Sequence, residues 1–162
     1  MLMPSPKKLR HQMKPEHIQR FLDEAALVAS WSKIETTKVG CVLVAPDQTF
    51  IVGFNGPPRG FDDSLIPQLN REHLRAITTH AEINAIANAA RAGFKTVGTI
   101  AFVTHPVCSQ CMGALINAGV SEVYFTGKLH PDWFESTELG VWLAGSCEVT
   151  VVFLNPPDSE KD

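Results

Sequence analysis

The chain has 162 residues, a length that fits one domain, with 44% hydrophobic and 19% charged residues, the ordinary balance of a globular protein. No run of eighteen apolar residues occurs, so no membrane span is expected. The net charge is −3 but uneven: Lys7, Lys8, Arg10 and Lys14 open the chain, and beyond them ten basic residues face seventeen acidic ones, a net of −7. A body that acidic is a poor footprint for a polyanion, so nucleic acid is not an expected partner.

Residues 1–15 contain Pro4, Pro6 and Pro15 and read as a flexible basic arm. Their basic residues are followed by no apolar stretch, so they do not read as a secretory leader, and a cytoplasmic setting with reduced thiols is expected. "EHIQRFLDEAALVASWS" (16–32) carries Ile18, Phe21, Leu22, Ala25, Val28 and Ala29 at spacings of three and four, which predicts an amphipathic helix. "VGCVLVA" (39–45) and "TFIVGFN" (49–55) are rich in β-branched and aromatic residues around the turn "PDQ", which predicts a hairpin. "GPPRGFDDS" is a Gly/Pro loop. Residues 62–79 are polar, with helix expected around Arg71–Ile77.

From there strands and helices alternate. Helices are expected at 80–92 and 108–118, stopped by Gly93 and Gly119, and at 132–144. Strands are expected at 98–104, 121–125 and 147–154. That order argues for parallel crossovers, and the whole predicts a five-stranded mixed sheet with helices on both faces, a three-layer α/β/α fold. One domain is expected over 16–154, with "NPPDSEKD" (155–162) as a frayed tail.

The four cysteines are Cys41, Cys108, Cys111 and Cys147. Cys108 and Cys111 form a C-x-x-C pair at the start of a helix, a spacing suited to metal or redox chemistry. Cys41 and Cys147 read as small residues of strands in the core. His80 and Glu82 open the preceding helix. Helices that follow parallel strands start at the same sheet edge, so these two helix starts can converge. One imidazole and two thiolates suit zinc with a fourth position open to water. The positive helix ends favour thiolate over thiol. Glu82, two residues from His80, is badly placed as a second ligand but well placed to handle a water's proton. Cys147 or His105 could instead close a purely structural four-ligand site.

"HAEINAI", the pair within "CSQCMGALINAGV" and the loop "GFNGPPRGF" together resemble the zinc-dependent cytidine deaminase superfamily, within it the deoxycytidylate (dCMP) deaminase branch. The resemblance spans about residues 17–153. It implies a cytidine-deaminase-like fold, Zn2+ on His80, Cys108 and Cys111, and Glu82 as proton shuttle in the hydrolytic exchange of a cytosine amine for oxygen. It implies substrate contacts from Asn55, from Arg59 to a 5′-phosphate, and from the backbone N–H of Ala81. Arg71 and Arg75 are rival phosphate partners. Relatives are commonly homo-oligomers. The family usually places Pro directly before the first Cys; here Val107 intervenes after Pro106, and His105 enters the same loop, where it is a candidate sensor of the amine or of a C5 substituent. The expected substrate is dCMP, with 5-substituted dCMP, a free nucleoside or tRNA adenosine as alternatives, and a non-catalytic zinc-stapled binding module as the alternative outside enzymes.

Overall fold

A computed structural model describes residues 13–154. The expected tail, and all but the last residues of the expected basic arm, lie outside the described residues. Helix α1 (Pro15–Ala29) forms where the apolar spacing predicts it and buries Phe21, Leu22, Ala25, Val28 and Ala29. It ends at Ala29, short of Ser32, with Ser30 as its C-cap. Ser32 Oγ donates to the carbonyl of Asn55 at 2.8 Å and accepts from the Ile34 N–H at 3.2 Å.

Strands β1 (Gly40–Val44) and β2 (Phe50–Phe54) form the expected hairpin, with Gly40 opposite Phe54 and Val44 opposite Phe50. In its turn, Asp47 accepts from the Thr49 N–H at 3.0 Å, the usual service of an Asp in a tight turn. The polar stretch that follows holds a short 3-10 turn (Asp63–Gln68) and helix α2 (Arg71–Ile77), capped by Asn70 accepting from the His73 N–H. Neither buries a residue. The excursion is closed at its base by a paired bridge between Gly56 and Thr79, which delivers the chain to His80.

The rest alternates as expected: α3 (Ala81–Ala92), β3 (Ile100–Val103), α4 (Ser109–Asn117), β4 (Glu122–Phe125), α5 (Phe134–Ser146) and β5 (Thr150–Phe153). The five strands lie in the order β2-β1-β3-β4-β5. β1 is antiparallel to both neighbours, while β3, β4 and β5 are parallel. Two antiparallel steps leave β2 and β3 pointing the same way, so α3 and α4 both begin at the edge where those strands end.

Alternation along the strands sends side chains to two faces. Val42, Val44, Phe102 and Tyr124 pack with α1 residues on one face. Cys41, Leu43, Ala101, Val103, Val123 and Phe125 pack with residues of α3, α4 and α5 on the other. The layers are therefore unequal, one helix against three, as follows when successive right-handed crossovers step across the sheet in one direction.

Two expectations fail near the end of the chain. Cys147 is exposed and caps α5, and the last strand starts three residues later. The Cys147 N–H returns to the carbonyls of Leu143 and Ala144, and Glu148 takes φ +59°, so residues 147–149 wind the helix down instead of entering the sheet. Leu139, Val141 and Trp142 are exposed on α5. No helix among the described residues is long and apolar enough to cross a membrane.

Candidate active site

Both ligand-bearing segments are helix starts. His80 is the N-cap of α3 and Cys108 the N-cap of α4, each with extended backbone angles. An N-cap side chain projects from the end of its helix and escapes packing along the shaft. Cys111 sits in the first turn of α4, and its N–H points at Cys108 Sγ at 3.5 Å. His80 Nδ1 lies 3.7 Å from Cys108 Sγ and 3.3 Å from Cys111 Sγ. All three donor atoms fall within 4.8 Å of one another. A tetrahedral zinc with ordinary Zn–N and Zn–S bonds holds such atoms about 3.6 Å apart, so the donor set fits that ion in kind and in spacing.

The electrostatics match a metal site. A hydrogen bond from the Cys111 thiol, then the neighbouring His80, pulls the Cys108 thiol down to about 4. Cys111 is pushed up as the donor of that bond and keeps the shared proton. Cys108 also raises the pKa of His80.

Glu82 is 4% exposed, and burial pushes its carboxyl up to about 7. Its charge adds to burial in raising the Cys41 thiol. An acid with a pKa near neutrality can both take and give a proton. Ala81, fully buried beside it, is the first residue of α3, so its N–H has no partner within the helix.

The other expected residues are more scattered. Asn55 is buried and its amide is engaged: Oδ1 accepts from the Val39 N–H and Nδ2 donates to the Thr37 carbonyl, both at 2.8 Å. Each of those atoms keeps one further hydrogen-bonding position. Arg59 is exposed and bonds Asn88 Oδ1 at 3.2 Å, two turns along α3 from His80. His105 bonds the carbonyl of Pro106 through Nδ1 at 3.2 Å. Val107, the residue that displaces the usual Pro, is fully buried against the same core as Cys108 and Cys111. Neither His105 nor Cys147 joins the cluster, so among the described residues no fourth protein ligand closes it.

Tyr124 and Phe125 end β4, and Trp133 follows eight residues after it. The fold separates them. Tyr124 stacks on Phe102 and Phe125 packs on Phe153, both within the layers. Trp133 alone of the three meets the site, its ring 6.1 Å from that of His80 and nearly perpendicular, with the Arg75 guanidinium 5.8 Å from its centroid. Ser136, which bonds the first amide of α4, carried no sequence signal.

A mixed sheet with a His/Cys/Cys cluster and a buried acid across two helix starts defines the hydrolytic zinc enzymes that act on amino-substituted rings. Residues 15–127 match the cytidine and deoxycytidylate deaminase zinc-binding region, and the chain belongs to that family. It is 42% identical over 106 residues to an uncharacterized deaminase of Aliivibrio fischeri, covering 65% of this chain and 69% of that protein. It is 32% identical over 123 residues to the deoxycytidylate deaminase of Mus musculus, covering 72% and 68%. The dCMP deaminase of cyanophage S-TIM5, solved with dCMP and dUMP, superposes with a TM-score of 0.74 at 26% identity, over 88% of this chain and all of that one.

Proposed function

We propose that this chain removes the exocyclic amine of a cytosine nucleotide by hydrolysis, dCMP to dUMP, with release of ammonia. The observation that carries the reading is the convergence of His80, Cys108 and Cys111 on one point beside the buried Glu82, with no fourth ligand among the described residues. A zinc-stapled binding module would need that fourth ligand. The choice of dCMP is supported by the mouse and cyanophage relatives.

His80, Cys108 and Cys111 would hold zinc, which would supply a bound water with its pKa lowered toward about 7. Glu82 does the proton work: it accepts a proton from the attacking water and hands it to N3 of the base, then takes the proton of the hydroxyl now on C4 and gives it to the amine as the C4–N bond breaks and ammonia leaves. The free N–H of Ala81 donates to the base carbonyl. Asn55 uses its spare amide positions on the sugar. Arg59, released from Asn88, meets the 5′-phosphate in a charge-assisted bond. His105 faces the amine or C5 side of the base. The catalytic unit is a single domain over 16–154, acting in the cytoplasm as a homo-oligomer. Support for assembly comes from the apolar groove between α5 and β5, where Phe134, Val141, Trp142 and Phe153 stand exposed.

The test is ammonia release from dCMP, 5-methyl-dCMP, deoxycytidine and adenosine, with bound zinc measured alongside. The expected result is fastest turnover of dCMP by protein holding one zinc per chain. Zinc-loaded protein that releases ammonia from none of them overturns the reading, and a preference for deoxycytidine or 5-methyl-dCMP overturns the substrate.

A further inference from the structure

The first turns of α5 touch both ligand-bearing helix starts. Trp133, just before α5, sets its ring against His80, the cap of α3. Ser136 Oγ accepts from the Ser109 N–H at 3.0 Å and lies 3.1 Å from Ser109 Oγ. Ser109 directly follows the ligand Cys108 and is the first residue of α4. One turn further on, Gly140 lies so close to α4 that an added Cβ would stand 3.3 Å from Ser109 Cα and 3.4 Å from Met112 Cβ. Ser136, Gly140 and Ala144 recur every four residues, so one face of α5 is nearly flat and its backbone comes close to α4.

The first three amides of a helix have no partner inside it. In α4 the third, of Cys111, is taken by Cys108 Sγ. The first, of Ser109, is taken by Ser136 from another helix. That bond fixes the direction in which the chain leaves Cys108, and with it the spacing of the two sulfurs.

We propose that Ser136 is a positioning residue for the metal: from the first turn of α5 it holds the start of α4 in place and so sets how tightly Cys108 and Cys111 retain zinc. The inference rests on the zinc reading of the cluster. Ser136 is not one of the three donors of the cluster; it acts on the turn that carries two of them. Partners behind a ligand shell commonly change metal affinity by about 10–100-fold when removed, which is the effect expected here.

The experiment measures the rate at which zinc-loaded protein loses its metal to excess EDTA, followed with a zinc-sensitive dye. Ser136→Ala is expected to lose zinc about 10–100-fold faster than the wild type, with unchanged far-UV circular dichroism. Ser136→Thr keeps the hydroxyl and restores retention. Ser109→Ala removes only the contact between hydroxyls, keeps the amide bond and retains zinc like the wild type. Gly140→Ala keeps Ser136 but pushes α5 off the turn, and loses zinc faster; it decides the question if Ser136→Ala does not fold. A folded Ser136→Ala protein that releases zinc at the wild-type rate overturns the proposal while the zinc site stands. Wild-type protein that holds no zinc overturns the site itself, and the proposal with it.

Discussion

Gly53 of β2 lies directly against Ala85 of α3. A Cβ on Gly53 would come within 2.8 Å of Ala85 Cα and would also strike the Ala85 nitrogen and the Ala81 carbonyl. All of these are backbone atoms of the helix that begins with His80 and Glu82, and none can rotate away. The helix must then lift off the sheet, and the first turn moves with it. Gly53→Ala should therefore cost about 1–3 kcal/mol of stability by overpacking. At about 2–4 °C per kcal/mol for a chain of this size, thermal unfolding should show the loss as a lower Tm. Zinc retention should fall in the same variant. A Gly53→Ala protein as stable as the wild type would mean that the helix does not sit this close.

Glu82→Gln keeps the size and hydrogen-bonding reach of the side chain but removes its ability to exchange a proton. The expected result is a fall in kcat for ammonia release of about 10²–10⁴-fold, the usual weight of a positioned acid–base group, with one zinc per chain retained. Turnover near the wild-type rate in the zinc-loaded variant would remove Glu82 from the mechanism.

Metal uptake should release protons. In the metal-free protein Cys108 is held as thiolate while Cys111 keeps its proton, and a zinc ligand must be deprotonated. Binding zinc at pH 7 should therefore release at least one proton per ion. Calorimetry in buffers of different ionisation enthalpy reads that number directly. Uptake with no proton released would mean that both thiols are already ionised.

Tyr124 is the chain's single tyrosine, so its titration can be followed alone. Burial, then the charge of Glu122 and the 3.1 Å bond to its carboxylate, push the phenol up to about 12. The folded pKa lies above the unfolded value of about 10. Its stabilising contribution is therefore complete below pH 10 and is lost progressively as pH rises toward 12. Phenolate absorbance should show a midpoint well above 10 in the folded protein. Tyr124→Phe should flatten the decline in urea stability across that window. An ordinary midpoint near 10 would mean that the ring is more accessible than its packing against Phe102 indicates.

Asn55→Ala should destabilise the protein as well as impair turnover. Its amide holds the carbonyl of Thr37 and the N–H of Val39, and truncation leaves both without that partner. A loss of about 1–3 kcal/mol in chemical unfolding is expected. A fall in turnover with unchanged stability would make Asn55 a substrate contact only.

The sequence by itself determined most of the elements and the three side chains, His80, Cys108 and Cys111, that gather in a cluster fit for a metal. An apolar spacing of three and four placed the first helix, runs of β-branched and aromatic residues around a turn placed the hairpin, and glycine stops ended two later helices, because these signals act over a few neighbouring residues. His80 and Cys108 could be read as helix starts because a cap is set by the few residues around it. Only the tertiary structure decided what those starts have for company. It placed Cys147 at an exposed helix end, drew Arg59 to Asn88, put Trp133 beside His80 and Ser136 on α4, and laid three helices on one face of the sheet. Each of these depends on how segments far apart in the chain pack, and no local rule records that.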